Sequence, residues 1–397
     1  MEPSAPHGTG AGNDRGRGRA RSHRRDDPLT QLSEEFDGVR DVWRTASGAV
    51  CVADPAAARD VLGNRRATVV ETSDFYRTRH GVFGPRGAQI EIGRNARTLL
   101  RRHLRERRSE LPGLVAERLA PRSDWPDAGN LLVHRHLRDA LLCPDTPGRL
   151  RAAVEEIVGR AVLAGAREQY SPLSRLLFRR RALGLLLDEI HARRARDSEE
   201  PRDLLDVTVL GGGRTADVRD LAEVYLSFLF ATVGSIGFAL GWSVYLTGLH
   251  PDSRTAEPSW LVREAMRLWP VAWLFGRTPS REHQLSGLTV TPRDQVAVCA
   301  YLVHRNPRHW ERPDEFLPRR WAEPVPDPAF LPFGHGPHSC AGATVTMRLL
   351  EDLMRVITRD WRLSVTSYGD GPHVGPALAP PRFTATLDHP DGCPERG

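Results

Sequence analysis

The residues with the clearest chemical potential lie near the C-terminus, in the glycine-rich stretch 331–343, which reads Leu-Pro-Phe-Gly-His-Gly-Pro-His-Ser-Cys-Ala-Gly-Ala. Glycine lets a backbone lie close to a large flat group, where a Cβ atom would collide. The pattern that follows predicts a helix from Ala343 to Arg359, so Cys340 comes just before a helix N-terminus. Backbone N–H groups and the positive end of the helix dipole favour a thiolate there. The stretch is a candidate thiolate site; the ordinary alternative is a small buried cysteine.

The spacing Phe-Gly-x-Gly-x-His-x-Cys-x-Gly, from Phe333 to Gly342, resembles the haem-binding loop of the cytochrome P450 family. His338 stands where most members carry arginine. The resemblance implies that Cys340 is the axial ligand of the iron of haem b, since a thiolate is the haem ligand in that family. It covers the chain from about residue 30 onward and implies the cytochrome P450 fold, a single large domain that is mainly α-helical with a small β region.

A second signal is the pair Glu264 and Arg267, which share one face of a predicted helix. Alone it would be an ordinary surface ion pair, worth less than about 1 kcal/mol. The pair resembles the family's Glu-x-x-Arg helix, in which the two charges are buried and joined by an arginine from the segment before the haem loop. Arg320 stands at that position. The resemblance therefore implies a structural network of Glu264, Arg267 and Arg320 that holds the haem-side core together.

A haem also brings two propionates, which bind cationic or hydrogen-bonding side chains. The positions that match the family's propionate partners are Arg97, Arg101, Arg277 and His338. The helix that carries Arg97 and Arg101 is crowded with arginines, so a solvated helix face is the competing interpretation of those two.

The long apolar helix that ends near Leu249 aligns, through Trp242, with the family's central helix over the haem. The family's Ala-Gly-x-(Asp/Glu)-Thr is replaced here by Ala-Thr-Val-Gly-Ser at 231–235, so the catalytic candidates are Thr232, Gly234 and Ser235. In the family the acid and the alcohol relay protons during oxygen activation, and a hydroxyl without the carboxylate is a weaker relay. Each glycine inside a helix costs about 1 kcal/mol relative to alanine, so close approach of a neighbouring group or a local kink should explain Gly234 and Gly237.

Three functions are open. The first is ordinary hydroxylation, with Ser235 and ordered water, or the substrate itself, supplying protons. The second is an oxidase of the same fold that couples aromatic groups through a C–C, C–N or C–O bond, or nitrates them. The third is a catalytically silent haem-binding protein that recruits a partner enzyme. We take hydroxylation, as a monooxygenase that tailors a bacterial specialised metabolite, as the main hypothesis.

The family's pocket-lining positions are predicted to face the substrate. They are Phe230, Ala231, Val271, Trp273 and Phe275. Trp273 and Phe275 can stack on an aromatic or peptide-like substrate, or simply pack in the core. The irregular stretch 71–93 corresponds to the family's first substrate-recognition region.

Composition bounds the remaining possibilities. The chain has 397 residues, 40% of them hydrophobic, enough for one large domain at 28–397. Residues 1–27 are rich in glycine and arginine and are predicted to be a disordered tail. A basic arm can bind nucleic acid, but no nucleic-acid-binding motif follows, so we expect a solvated tail. The sequence contains no lysine, which indicates a GC-rich bacterial source.

The sequence also gives expectations about the cellular location and the partners of the protein. We expect no apolar run long enough to cross a membrane and no secretory signal at the start of the chain. The five cysteines are scattered and odd in number, which is typical of reduced thiols. We therefore expect a cytoplasmic monomer that does not bind membranes. Because the chain carries no flavin or iron–sulfur motif, electrons should come from NAD(P)H through a ferredoxin reductase and a ferredoxin.

Periodicity completes the sequence-based expectations. Helices are predicted at 55–62, 95–119, 148–163, 171–196, 217–249 and 260–268, and strands at 41–45, 49–53, 288–291, 295–299 and 382–387.

Overall fold

The computed structural model describes residues 27–71, 73–163, 171–196, 200–323 and 329–389. All but the last residue of the predicted N-terminal tail lies outside this part of the chain, so the tail and its boundary remain predictions. The described helices are α1 Pro28–Glu35, α2 Pro55–Gly63, α3 Arg86–Glu106, α4 Leu111–Leu119, α5 Asp127–Leu141, α6 Gly148–Ile157, α7 Pro172–Arg194, α8 Leu204–Gly212, α9 Val218–Leu249, α10 Pro258–Leu268, α11 Ala300–Val303 and α12 Ala343–Asp360.

Short strands form small sheets at the edge of this helical body. Their bounds are β1 Val42–Arg44, β2 Val50–Val52, β3 Arg77–Thr78, β4 Gly81–Val82, β5 Arg122–Trp125, β6 Leu274–Arg277, β7 His283–Leu285, β8 Leu288–Val290, β9 Val296–Cys299, β10 Arg362–Ser367 and β11 Phe383–Asp388. One sheet has the order β1-β2-β9-β6 and a second has the order β10-β11-β5. In the first sheet β2 is parallel to β9 and β6 is antiparallel to it, so residues far apart in sequence become neighbours.

Most predicted elements are present, but the helix predicted at 95–119 is divided into α3 and α4, and α8 and β10 were not predicted. Two further differences concern the residues around the site. The stretch 71–93 was expected to be irregular throughout, whereas α3 already begins at Arg86. Helix α5 was not predicted at all, because its buried face includes the polar residues Asn130 and His136 among leucines and valines. Polar side chains at core positions obscure the apolar periodicity from which helices are predicted.

Helix α9 runs through the centre of the protein and contacts α5, α10 and α12. It is long and apolar enough to cross a membrane by length and composition alone, so the expectation that no such run exists was wrong. Most of its apolar length is buried inside the protein. The helix also contains one π-helical turn, Phe230–Ser235, at the altered relay residues. Such turns occur frequently at functional sites.

A fully buried carboxylate anchors α10 to the segment that leads to the cysteine loop. Glu264 accepts from Arg267 Nη2 at 2.8 Å and from Arg267 Nε at 3.0 Å. It also accepts from Arg320 Nε at 3.0 Å and from the Trp321 indole at 2.9 Å. Arg267 uses its remaining donors on backbone carbonyls, including that of His304. Since both charges are buried and fully hydrogen-bonded, the loss of either partner leaves an uncompensated charge.

His304 carries this network on to the cysteine loop. It is fully buried, its Nδ1 lies 3.1 Å from the Arg267 carbonyl oxygen, and its Nε2 accepts from the Leu331 N–H at 2.7 Å. Only a neutral imidazole with the proton on Nδ1 satisfies both bonds. Burial, reinforced by the Arg267 charge, lowers the pKa of His304 to about 3.

Replacing Glu264 by alanine should lower the free energy of unfolding by roughly 3–5 kcal/mol, because Arg267 would remain buried without a counter-charge. Glu257→Ala, at the exposed N-terminus of the same helix, is the control and should change stability by less than about 0.5 kcal/mol. Denaturant titration of both variants gives the comparison. Equal, small effects would mean that the Glu264 network is not needed for stability.

The buried neutral histidines should make the fold sensitive to acid. Burial also lowers the pKa of His136 to about 4, against 6.5 for an ordinary histidine. Below pH 6.5 the unfolded chain binds protons that folded His304 and His136 do not. Stability is therefore complete above pH 6.5 and falls as the pH drops, by up to about 1.4 kcal/mol per pH unit for each histidine.

His136→Leu isolates one of these contributions, because neither ring nitrogen of His136 has a hydrogen-bond partner among the described residues. The variant should unfold with a shallower dependence on pH between 6.5 and 5 than the native chain. An unchanged slope in denaturant titrations across that interval would contradict the assignment.

Candidate cofactor-binding site

The cysteine loop folds back on itself and packs against α2. The Cys340 N–H donates to the Phe333 carbonyl at 2.9 Å, which closes the loop. Gly334 and Gly336 adopt φ angles of 70° and 74°, a region that favours glycine. A Cβ atom on Gly336 would also lie 2.7 Å from Gly63 Cα. The two glycines between Phe333 and Cys340 are thus required by backbone conformation, and one of them also by packing.

Cys340 is accessible at its side chain although protein surrounds it closely. Among the four described cysteines, Cys51, Cys143 and Cys299 are buried and Cys340 is exposed. Burial nevertheless raises the pKa of the Cys340 thiol, while the backbone N–H groups of Gly342 and Ala343 oppose that shift. The net direction is upward, so the loop by itself does not favour the thiolate, contrary to the expectation from the helix N-terminus. A cation coordinated to the sulfur would remove the proton, and the two N–H groups could then donate to the thiolate.

Helix α3 lies along the loop and brings arginines to it. A Cβ atom on Gly93 would be 3.4 Å from Ala341 Cβ, and Arg101 Nη2 donates to Thr344 Oγ1 at 2.9 Å. Arg97 lies one turn from each of Gly93 and Arg101, on the same helix face. The structure therefore brings Arg97 and Arg101 alongside the loop that contains Cys340.

Arg86, at the start of α3, reaches the other end of the loop. Its guanidinium donates to the Pro337 carbonyl and lies 3.5 Å from His338 Nδ1. No sequence signal separates Arg86 from the many other arginines, so it was not predicted. A cation beside His338 enlarges the set of groups that can bind a carboxylate at this edge.

Strand β6 places Phe275 under the loop, with its ring 3.4 Å from the position of a Cβ on Gly334. Arg277 follows on the same strand and donates to the Gly276 carbonyl at 2.7 Å. Trp273 is only 4% exposed, and its indole donates to the Gly375 carbonyl at 2.8 Å. Val271 is also buried, and its carbonyl accepts from Leu378 N at 2.9 Å. Phe275 thus contacts the loop, whereas Trp273 and Val271 pack in the core.

The π-helical turn of α9 has one accessible side. Phe230 is 41% exposed, and Ala231 and Ser235 are half-buried, while Thr232 and Gly234 are buried. The Thr232 hydroxyl donates to the Phe228 carbonyl at 2.7 Å. Because that bond directs its proton into the helix, Ser235 is the accessible hydroxyl of the turn.

A cavity of about 810 Å³ lies on another side of the loop. Its walls include Phe333, Thr344 and Met347, together with Arg263 and Trp321. Cys340 is not among the residues that line it.

These features fit a haem. The accessible sulfur of Cys340 would hold the iron, the glycines keep the loop backbone clear of Cβ atoms, and the arginines at both ends of the loop could bind two carboxylates. The roles of the individual residues stay predictions, including those of Arg277 and His338.

Comparisons with known proteins point the same way. The family model of cytochrome P450 matches residues 259–373, a range that contains Glu264, Arg267 and Cys340. Cyclooctatin synthase from Streptomyces melanosporofaciens is 29% identical over 179 residues, or 38% of this chain and 39% of the relative. Cyclooctat-9-en-7-ol 5-monooxygenase from the same organism is 27% identical over 209 residues, or 45% and 46%. The match thus spans less than half the length of these relatives.

Solved structures extend the likeness to the whole fold. The open cytochrome P450 EryK from S. erythraea superposes with a TM-score of 0.69 and 19% identity, over 94% of this chain and 98% of that one. CalO2 superposes with a TM-score of 0.65 and 20% identity, over 92% and 98%. The predicted fold, mainly helical with a small β region, is confirmed. The chain thus has the fold of solved cytochromes P450, and its segment 259–373, which contains the cysteine loop, matches the family model of cytochrome P450.

Proposed function

We propose that the protein is a haem-thiolate monooxygenase that tailors a bacterial specialised metabolite. The observation that carries the proposal is Cys340, an accessible sulfur in a glycine-constrained loop with two N–H groups directed at it. When bound there, haem b supplies the chemistry of dioxygen activation. Cys340 would hold the iron, and Arg97, Arg101, Arg277 and His338 would bind the propionates.

Arg86 belongs in the same proposal. Its contacts with Pro337 and His338 place a guanidinium at the edge of the loop where a carboxylate could accept from it. Electrons would arrive from NAD(P)H through a ferredoxin reductase and a ferredoxin, in a monomeric cytoplasmic protein.

The substrate class rests on the relatives and on the accessible side chains. The names of the two Streptomyces relatives describe a synthase and a monooxygenase of cyclooctatin chemistry. For this chain we propose a small specialised metabolite, with aromatic or peptide-like groups favoured because Phe230 and Phe275 are at least partly accessible. The buried position of Trp273 lends no support to stacking by that residue.

Ser235 is proposed to hold and pass a proton at its hydroxyl. It is accessible, and the buried Thr232 hydroxyl already donates to the Phe228 carbonyl. Positioned proton transfer typically contributes 10²–10⁴-fold to a rate. The turn 230–235 contains no carboxylate beside Ser235, so we propose that its relay is weak.

That weakness supports a second candidate function, an oxidase that couples or nitrates aromatic groups. Gly234 has no side chain where the family carries an acid, and Thr232 turns its proton inward. Product mass separates the two functions: hydroxylation adds one oxygen, whereas coupling removes two hydrogens. A silent haem protein would bind haem and consume no NAD(P)H with any substrate.

Replacing Cys340 by serine should remove the thiolate signature of the reduced carbon monoxide complex, because the hydroxyl does not supply the sulfur ligand. Absorbance spectra of native and variant protein measure this, and circular dichroism checks that the helices remain. Cys299→Ser, at a buried thiol in β9, is the control and should keep the signature. A native spectrum from Cys340→Ser would refute the ligand assignment.

Ser235→Ala should divert several-fold more of the NAD(P)H electrons to peroxide, since the accessible hydroxyl is lost. Ser235→Thr should retain the native partition. Ser227→Ala, on the same helix, is the control, because the Ser227 hydroxyl donates to the Glu223 carbonyl at 3.1 Å. The measurement is the peroxide formed per NAD(P)H oxidised, in the presence of a ligand that shifts the haem spectrum. If Ser235→Ala equals native protein, the protein hydroxyl is dispensable and the coupling oxidase gains support.

A further inference from the structure

The π-helical turn of α9 is held from behind by one side chain of α5. Asn130 is completely buried, and its Nδ2 donates to the Val233 carbonyl at 2.8 Å and to the Gly234 carbonyl at 3.1 Å. Only the amide nitrogen can donate to two carbonyls, so the bonds fix the orientation of the carboxamide. Asn130 therefore binds the backbone of the two residues just before Ser235.

Close packing of α5 and α9 makes these bonds possible. A Cβ atom on Gly237 would lie 2.3 Å from Asn130 Nδ2 and 2.7 Å from Asn130 Cα. On the other helix, a Cβ atom on Gly129 would lie 2.8 Å from the Gly237 carbonyl oxygen. Glycines facing each other let the two backbones approach, and this close approach is the reason for Gly237 inside an otherwise apolar helix.

The arrangement carries a cost that a purely apolar contact would avoid. Asn130 Oδ1 is buried and has no hydrogen-bond partner among the described residues. An unsatisfied buried acceptor is unfavourable, and leucine or alanine would fill a helix interface without it. The amide donors serve the π-helical turn, where a helix with a different hydrogen-bond register exposes carbonyls sideways.

We infer that Asn130 is a positioning residue, which holds the π-helical turn through the Val233 and Gly234 carbonyls and thereby keeps Ser235 on the accessible side. The turn has a buried side and an accessible side. The residues bound by Asn130 are buried, whereas Ala231 and Ser235 are partly exposed. Relaxation of the turn to a regular α-helix would change the rotation of Ser235 about the helix axis. The inference rests on the proposed relay function of Ser235.

Asn130→Ala should release the turn without removing any group from the accessible side. We expect amide hydrogen exchange in a peptide spanning 228–240 to accelerate at least tenfold, and peroxide per NAD(P)H oxidised to rise toward the level of Ser235→Ala. Ser243→Ala is the matched control, since Ser243 is equally buried on α9 and its hydroxyl donates to the Ala239 carbonyl at 2.8 Å. It should leave both measurements at native values.

Asn130→Asp provides a readout that a general loss of packing would not give. A buried carboxyl that faces two carbonyls has a raised pKa. Protonated, it donates one bond to the turn; ionised, it donates none and repels both oxygens. At each pH the Asp variant is compared with Asn130→Ala. Its amide protection in 228–240 and its peroxide per NAD(P)H oxidised should therefore approach native values at low pH. As the pH rises, both should approach the values of Asn130→Ala. This variant also serves if Asn130→Ala fails to fold.

Two failures remain distinguishable. If native protein lacks the thiolate carbon monoxide signature, the proposed function fails. If native protein shows it, and Asn130→Ala or ionised Asn130→Asp retains the native peroxide fraction, the positioning role is overturned. Faster amide exchange in the turn with an unchanged peroxide fraction would mean that Asn130 has only a structural role, and would likewise overturn the inference.

Discussion

The carboxylate of Glu264 is the constraint on which the haem-side half of the fold depends. A charge without solvent exposure is tolerated only when its counter-charge and hydrogen bonds are all in place. Here they come from its own helix through Arg267 and from a separate segment through Arg320 and Trp321. The helix and the segment must therefore assemble together, and a partly assembled state would leave a bare charge in the core.

The same network positions the cysteine loop. Arg267 binds the His304 carbonyl, and the His304 ring in turn accepts from Leu331, the residue at which the loop begins. At its other end the loop enters α12, whose N-terminal turn contacts Arg101. A thiolate ligand needs its sulfur fixed relative to the metal, and a chain of buried, fully satisfied polar groups provides that rigidity better than apolar packing alone.

Polar groups buried in helix interfaces are the second theme of this structure. Asn130 and Thr232 both use side-chain donors on backbone carbonyls of α9, one from a neighbouring helix and one from within. Both act on or beside the same π-helical turn. Their effect is to set which residues of the turn remain accessible, and the result is a single accessible hydroxyl, Ser235, where the cytochrome P450 family carries an acid and an alcohol.

The sequence alone predicted the fold class, through its resemblance to a known family, and the structure confirms that fold. The role of Cys340 as a ligand stays a prediction, which rests on the spacing of glycines around one cysteine, a local pattern that needs no tertiary information. The sequence also predicted the partners Glu264, Arg267 and Arg320, and the structure places the three in one network. It could not single out Arg86, His304 or Asn130. Each is a common residue type whose importance comes from a neighbour that lies more than 25 residues away in the chain. The tertiary structure also decided that Trp273 packs in the core and that Thr232 turns inward. Exposure and hydrogen-bond direction depend on which elements pack together, and local periodicity does not contain that information.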